Sequence, residues 1–243
     1  MLLKNNPFVN RPKHKHGAVP FDDIKLEHFK PALDHAIIEA EKTLESIKNN
    51  SDAPTFDNTA LPLECGTELM ETVANTYFNL MGAESDNKFK ELAQEISPKL
   101  SAFENDIYLD SILFERVKHV YNNMEIDNLN TEQKRLVSES YKDFALNGAL
   151  LNDTDKERIR KIDEELSKLS PKFSQNVLNA TNEYSYFTED ESELSGIPDL
   201  VKNQAAETAK KKNKKSGWTL TLQMPSYMPV MQFAENRKLR ETM

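Results

Sequence analysis

Residues 153–183 read DTDKERIRKIDEELSKLSPKFSQNVLNATNE and carry the most regular pattern in the chain. Apolar side chains recur there in alternating steps of three and four residues, at Ile159, Ile162, Leu166, Leu169, Phe173 and Val177. This spacing places them on one face of an α-helix. We expect a long helix that begins near Asp153 and packs along another helix. Pro171 lies inside it, where the missing backbone donor can produce a kink.

Other segments repeat with the helical period and have recognisable helix ends. Pro31 suits a first turn, Asp110 is a typical N-cap, and Asn130 with Gln133 three residues later resembles a capping box. Glycines 82 and 148 are expected to end two of these helices. We predict helices over residues 31–49, 58–81, 87–108 (bent near Pro98), 110–123, 130–147 and 198–210.

The last part of the chain, residues 225–243, also repeats at near-helical spacing. The apolar residues that carry this spacing are Val230, Met231, Phe233, Ala234 and Leu239. No terminating residue closes the pattern, so we expect one helix that is still open at Met243. We therefore interpret the sequence as a fragment of a longer protein.

Two short segments depart from the helical period. Residues 184–188 and 218–222 are rich in aromatic and β-branched side chains and alternate in polarity, which predicts a small two-stranded unit. The whole sequence contains only six glycines, which argues against a sandwich or a barrel. The predicted class is therefore mostly α, as one helical domain over residues 1–243, with an extended lead-in at residues 1–20.

Charge and cysteine content restrict the partners and the compartment. The formal net charge is -9, which opposes binding to nucleic acid or to an anionic membrane surface. The single cysteine, Cys65, excludes an intramolecular disulfide framework and favours a reducing compartment. The sequence has no apolar run long enough for a signal peptide or a membrane span. We expect a cytoplasmic protein; a periplasmic location stays open if an export signal was removed.

The five histidines do not form a recognisable metal motif. His28 and His35 are separated by about 10.5 Å of helical rise, too far to share one zinc ion. His14 and His16 lie in a basic segment that supplies no third ligand, and His119 stands alone. We interpret these histidines as structural or solvated, and the sequence assigns no metal ligand.

The other polar candidates also have ordinary explanations. Cys65 lacks the context of a catalytic thiol, and the acidic groups are common in a chain with 40 carboxylates. The lysine tract at residues 210–215 lacks interleaved aromatic residues, so a solubilising loop is preferred over a nucleic-acid site. The acidic groups are Asp22-Asp23, Glu164-Glu165 and Glu189-Asp190-Glu191. The sequence thus assigns no catalytic residue, and the substrate-binding residues stay unknown.

Several short blocks, in order along nearly the whole chain, resemble the N-terminal part of the thimet-oligopeptidase and peptidyl-dipeptidase family of zinc metallopeptidases. The block Asn105-Asp106-Ile107-Tyr108-Leu109 is most similar to the bacterial peptidyl-dipeptidases. The blocks are HFKPAL (28–33), PTFDNT (54–59), AFENDIYL (102–109), LFERV (113–117), GALL (148–151), LSGIP (194–198), GWTLTL (217–222) and NRKLRE (236–241).

The resemblance implies a longer enzyme that cleaves short peptides inside a channel, with zinc bound in its C-terminal half. Peptidyl-dipeptidases release dipeptides from the C-termini of peptides. The present sequence contains no His-Glu-x-x-His, so no catalytic or zinc-binding residue can be carried over. By resemblance, these helices would form one wall of the channel, and the zinc site would come from the C-terminal half, in cis.

The competing hypothesis is a stand-alone helical interaction or scaffold protein, which the composition alone permits. The open C-terminal helix favours the peptidase. The encoding gene separates the two: a reading frame that continues into a zinc motif supports the peptidase, and a natural stop after Met243 supports the scaffold.

The 243-residue chain should bind no zinc stoichiometrically and should not hydrolyse a blocked tripeptide. The reason is that no close pair of histidines is accompanied by an acidic ligand. Equilibrium dialysis and a product assay measure both properties. Tight one-to-one uptake of zinc that is lost when His28 and His35 are replaced would contradict the prediction.

Overall fold

A computed structural model describes residues 3–10, 18–84 and 86–243 of the chain. The protein is mostly helical, as predicted, and divides into two units, residues 1–171 and 172–243. Helices of the first unit are α1 (Leu26–Lys48), α2 (Leu61–Gly66), α3 (Glu68–Glu84), α4 (Asn87–Tyr108), α5 (Ser111–Asn123), α6 (Thr131–Leu146) and the start of α7 (Asp153–Glu183).

Local capping sets the starts of α4, α5 and α6, and their predicted positions are confirmed. The side chain of Asp86 accepts a hydrogen bond from the Phe89 amide at 3.0 Å. Asp110 accepts from the Leu113 amide at 2.9 Å, and Asn130 and Gln133 form the predicted capping box. Each bond satisfies a backbone donor that the first turn of a helix leaves free.

The predicted start of α1 at Pro31 is wrong, because the helix begins at Leu26. The amide of Lys25 donates to Nδ1 of His28 at 3.0 Å, which supplies a cap that the sequence analysis did not recognise. Pro31 then lies inside α1, within its early turns. Pro31 is the sixth residue of the helix and lacks the amide that would bond to the Glu27 carbonyl, so α1 continues with one intrahelical hydrogen bond fewer.

The single helix predicted over residues 58–81 is also wrong. The structure has a π-helical turn at Phe56–Ala60, followed by α2 and α3 with a break at Thr67. A Cβ atom on Gly66 would lie 2.9 Å from Cγ2 of Thr43, so this glycine permits a close approach of α2 to α1. Gly82 does not end α3, which continues to Glu84.

An aromatic cluster joins the N-terminal residues to the core of the first unit. Leu3–Asn5 form a short 3-10 helix, and Phe8 is buried with its ring centroid 5.2 Å from that of Phe29. Tyr77 lies on the other side of Phe29, also at 5.2 Å. Within the predicted lead-in, Phe8 therefore packs against α1.

The second unit contains the end of α7, a two-stranded sheet and three further helices. Its elements are β1 (Ser185–Thr188), α8 (Asp199–Lys211), β2 (Trp218–Thr221), α9 (Met224–Phe233) and α10 (Arg237–Thr242). The strands pair antiparallel, with Tyr186 opposite Leu220, which confirms the predicted β unit. Leu194, Leu220 and Val230 lie in the buried core of this unit.

One helix over residues 225–243 was predicted, and this is wrong. Ala234 adopts an extended backbone and Asn236 caps a new helix, α10, by accepting from the Leu239 amide at 3.2 Å. A Cβ atom on Gly196 would lie 2.3 Å from the carbonyl oxygen of Phe233, so the chain must pass close to Gly196 here. This close approach accompanies the end of α9 at Phe233, although the apolar period continues beyond it.

Among the described residues, no helix is both long enough and apolar enough to cross a bilayer.

Replacing Tyr77 with Phe should remove a pH-dependent component of stability. Tyr77 is fully buried, its hydroxyl donates to the Phe89 carbonyl, and burial raises its pKa to about 12. A raised pKa in the folded state gives stability that is fully present below the unfolded pKa of 10.0 and is lost as the pH rises to about 12. This component amounts to at most about 2.7 kcal/mol.

Urea unfolding of the unsubstituted protein and of Tyr77→Phe is measured between pH 8 and pH 12. The effect is the difference between their unfolding free energies at each pH. Below the unfolded pKa, Tyr77→Phe should be less stable by about 1 kcal/mol because the hydrogen bond is lost. As the pH approaches about 12 the difference should shrink and then change sign, because the linkage loss of up to about 2.7 kcal/mol exceeds the hydrogen-bond contribution of about 1 kcal/mol. Tyr227→Phe, in the other unit, is the control substitution. A difference that stays constant with pH would contradict the prediction.

Candidate functional site

The histidines that the sequence analysis considered do not come together in the described structure. His28 is used in the cap of α1, His35 is half-buried further along the same helix, and His119 is exposed on α5. His14 and His16 lie outside the described residues. Within the described ranges, no group of three or more His, Cys, Asp or Glu side chains could hold a metal ion.

The acidic candidates have structural partners. Glu164 pairs with Lys168 at 2.6 Å, and this hydrogen bond lowers the pKa of the Glu164 carboxyl. Asp190 accepts from the Ser192 amide at 2.9 Å, and its hydrogen bonds with Ser192 lower its pKa. A lowered pKa favours the ionised form, so neither group is prepared to act as a general acid near neutral pH.

Other acidic candidates and the cysteine lie at the surface. Asp22-Asp23 belong to a short 3-10 helix, Glu189 accepts from the Ser216 hydroxyl at 2.6 Å, and Cys65 is exposed on α2. No pair among these described groups supplies a nucleophile with a base in contact.

The lysine tract begins inside α8 and continues past its C-terminus. Lys210 pairs with Glu207 at 2.7 Å, and Nζ of Lys214 lies 4.7 Å from the ring centroid of Phe187. Asn213 has a φ of 61°, which turns the chain after α8. Two of the lysines thus have contacts within the second unit.

The second unit contains a cavity of about 600 Å³ between α8, β2 and the start of α9. Leu200, Gln204, Thr219 and Pro225 are among its lining residues. Thr219 is buried, and its hydroxyl has no hydrogen-bond partner among the described residues. The lining offers amides, hydroxyls, apolar surface and the basic side chain of Lys211; its acidic residue, Glu207, is paired with Lys210.

The first unit holds α7 through polar contacts. Lys156 is only 7% exposed, and its Nζ donates to the Leu109 carbonyl at 3.0 Å and to Oγ of Ser111 at 2.9 Å. One turn later, Arg160 donates to the Asp106 carboxylate at 2.6 Å. These bonds attach the start of α7 to the end of α4 and to the start of α5.

Of the apolar side chains of α7 in the first unit, Ile159 lies against Gly148, but the next three are largely exposed. Ile159 is half-buried, but Ile162, Leu166 and Leu169 are 44%, 52% and 56% exposed. We call these three residues the apolar stripe. The long helix is confirmed, but the prediction that this face packs along another helix is wrong for the described residues.

Sequence reasoning did not identify Lys156 or Arg160. The sequence did show that Lys156 and Arg160 are four positions apart in a predicted helix, so they lie on the same side of it and away from its apolar face. An amphipathic helix normally buries its apolar face, so a charged attachment face is the unexpected choice. The candidate functional site is therefore a surface, the exposed apolar stripe of α7.

Lys156→Ala should destabilise the first unit by about 1.5–3 kcal/mol, because the Leu109 carbonyl loses a charged donor and stays buried. Urea unfolding followed by circular dichroism measures this difference. Lys161→Ala is the matched control, since Lys161 is exposed on the same helix and should change stability by less than about 0.5 kcal/mol. Equal stabilities of the two variants would contradict the attachment role of Lys156.

Known proteins are similar to this chain over nearly its whole length. The sequence model of the Neurolysin/Thimet oligopeptidase N-terminal domain matches residues 33–156, from α1 to the start of α7. Dipeptidyl carboxypeptidase of Salmonella typhimurium is 31% identical over 241 residues, which are 99% of this chain and 35% of that protein.

Oligopeptidase A of Haemophilus influenzae is 31% identical over 242 residues, covering 100% of this chain and 35% of the relative. A probable cytosolic oligopeptidase A of Arabidopsis thaliana is 29% identical, covering 91% of this chain and 32% of the relative. The chain thus spans about a third of the length of these relatives. The chain belongs to the Neurolysin/Thimet oligopeptidase family, through the N-terminal domain of that family.

Proposed function

We propose that this chain is the N-terminal, channel-wall domain of a zinc metallopeptidase that releases C-terminal dipeptides from short peptides. The observation that carries this is the similarity along 99% of the chain to a protein named dipeptidyl carboxypeptidase, of which the chain spans 35%. A helical wall would admit short, extended peptides and exclude folded proteins. The chain would therefore contribute to selection by size.

The chemistry would come from the other part of the polypeptide. Peptide hydrolysis at zinc needs three protein ligands, a bound water and a nearby carboxylate base. The described residues do not fit that need, because their histidines are separated and no metal-binding group is formed. The 243-residue chain alone would consequently be inactive, and we derive no catalytic step from its residues.

The relatives leave a choice between two peptidase activities. Some are named dipeptidyl carboxypeptidase and others oligopeptidase A, at nearly equal identity. The resemblance of the block at residues 105–109 to bacterial peptidyl-dipeptidases favours the release of dipeptides. The cytosolic relative, together with one cysteine in the whole sequence, favours a cytoplasmic location.

The stand-alone scaffold is the second candidate, since an exposed apolar stripe also suits a binding protein. The family assignment favours the peptidase, because the similarity extends over the whole chain rather than over one binding motif.

Assaying the full-length protein on peptides of increasing length should show release of dipeptides from the C-terminus, detected by mass spectrometry. A chelator should reduce the rate at least about tenfold, since a zinc-bound water is the expected nucleophile. A folded protein is the control substrate and should stay intact. Internal cleavage would instead assign an oligopeptidase, and activity that resists the chelator would exclude the zinc mechanism.

A further inference from the structure

The cavity of the second unit, between α8, β2 and the start of α9, has the size of a ligand site. Its volume is about 600 Å³, and pockets that bind small ligands typically measure about 300–1,000 Å³. Every residue that lines it falls within residues 200–226, so the second unit forms the cavity by itself. The proposed function does not yet use this cavity.

The wall of the cavity offers hydrogen-bonding groups to an occupant. Thr219 is only 2% exposed, and its hydroxyl has no partner within the part of the chain that the structure describes. A buried hydroxyl without a partner destabilises a fold, so a group of this kind calls for an occupant that can bond to it. Asn203 and Gln204 are exposed at the same cavity, and their amides can both donate and accept. The wall can therefore pair with both the N–H and the C=O groups of a ligand.

Two charged side chains line the cavity, those of Glu207 and Lys211. Glu207 pairs with Lys210 at 2.7 Å; this hydrogen bond and, to a smaller extent, the charge of Lys211 lower the pKa of the Glu207 carboxyl. Lys211 itself forms no ion pair with any described residue. Because Glu207 and Lys210 neutralise each other, the ammonium group of Lys211 leaves its end of the cavity with a net positive charge.

The lysine tract extends this positive region. Lys211 is the last residue of α8, and Lys212, Lys214 and Lys215 follow within four positions. The C-terminal end of a helix carries only about half a negative charge, which these ammonium groups exceed. In a chain with a net charge of -9, the tract is a local concentration of positive charge. It should attract an anionic group to this end of the cavity.

We propose that the cavity binds a short peptide, with the C-terminal carboxylate of the peptide at Lys211 and its backbone along the wall that contains Thr219. Leu200, Val201 and Pro225 add apolar surface for the side chains of the peptide. The volume of about 600 Å³ is far larger than a free inorganic anion needs. A peptide of two or three residues uses the charge, the hydrogen-bonding wall and the apolar lining together.

The inference rests on the proposed function in one respect, since a peptidase would meet and release short peptides with free carboxylates. The site would be ancillary to the zinc centre. Its lining contains no group of side chains that could hold a metal ion, so it would bind the peptide without cleaving it.

Titration of the 243-residue chain with trileucine tests the proposal. Trp218, the only tryptophan in the sequence, precedes Thr219 in β2, so its fluorescence reports on the cavity, and calorimetry gives the dissociation constant. Trileucine should bind at least about tenfold more tightly than trileucine amide, which lacks the charge that pairs with Lys211. Equal affinities, or no binding of either peptide at millimolar concentration, overturn the proposal. Acetate that binds as tightly as trileucine overturns it as well, in favour of a small-anion site.

Substitution of the lysine locates the carboxylate. Lys211→Gln should weaken the binding of trileucine at least about tenfold and leave that of trileucine amide unchanged. Lys212→Gln is the matched control, because Lys212 is exposed in the same tract but does not line the cavity, and it should change the affinity less than about twofold. Equal losses from the two substitutions would indicate a general attraction by charge and would exclude the cavity as the site.

Substitution of the threonine tests the wall. Thr219→Val keeps the shape of the side chain and removes the hydroxyl, so both peptides should bind at least about threefold more weakly. The melting temperature of the free chain should stay the same or rise, because the hydroxyl that is lost had no partner among the described residues. Unchanged peptide binding in a variant that melts normally overturns the placement of the backbone along this wall.

The full-length protein separates this inference from the proposed function. With a chelator present to prevent hydrolysis, it should still show a component of trileucine binding that Lys211→Gln removes. A zinc-dependent peptidase without that component retains the proposed function and loses this site. A full-length protein that has the component but releases no dipeptides retains the site and loses the enzymatic proposal.

Discussion

The buried ammonium group of Lys156 determines how α7 is attached to the first unit. Its Nζ bonds to the Leu109 carbonyl and the Ser111 hydroxyl, at the turn that joins α4 to α5. A lysine is buried only when its charge is well solvated by protein groups, so the position tolerates little variation in geometry. With Arg160 bonded to Asp106 one turn later, α7 cannot rotate to bury its apolar side without breaking both contacts. The outward direction of Ile162, Leu166 and Leu169 follows from this attachment.

Elements with local signals could be predicted from the sequence, and those decided by tertiary contacts could not. The caps at Asp86, Asp110 and Asn130 act within three residues of themselves, so α4, α5 and α6 were predicted well. The break between α2 and α3 instead directly follows Gly66, at its close approach to Thr43 on another helix. The break before α10 similarly accompanies the close contact of Gly196 with the Phe233 carbonyl. Apolar periodicity continues through both breaks, which is why it misled the prediction.

At the candidate site, too, local features could be predicted from the sequence and tertiary contacts could not. Helical spacing correctly predicted α7, because periodicity depends only on the residues of the helix itself. The apolar period does not predict which element packs on the apolar face. Among the described residues, no partner helix covers that face. The attachment through Lys156 and Arg160 had no distinctive sequence signal, since lysine and arginine are usually solvated. The family came from the order of short blocks along the chain, not from a catalytic motif.

The core of the first unit does not depend on the apolar stripe. Phe29 lies between Phe8 and Tyr77, and this cluster is completed by α1, α3 and the start of α4, where Phe89 stacks 5.7 Å from Tyr77. Burial of these side chains accounts for a large part of the hydrophobic stabilisation, and none of it requires α7.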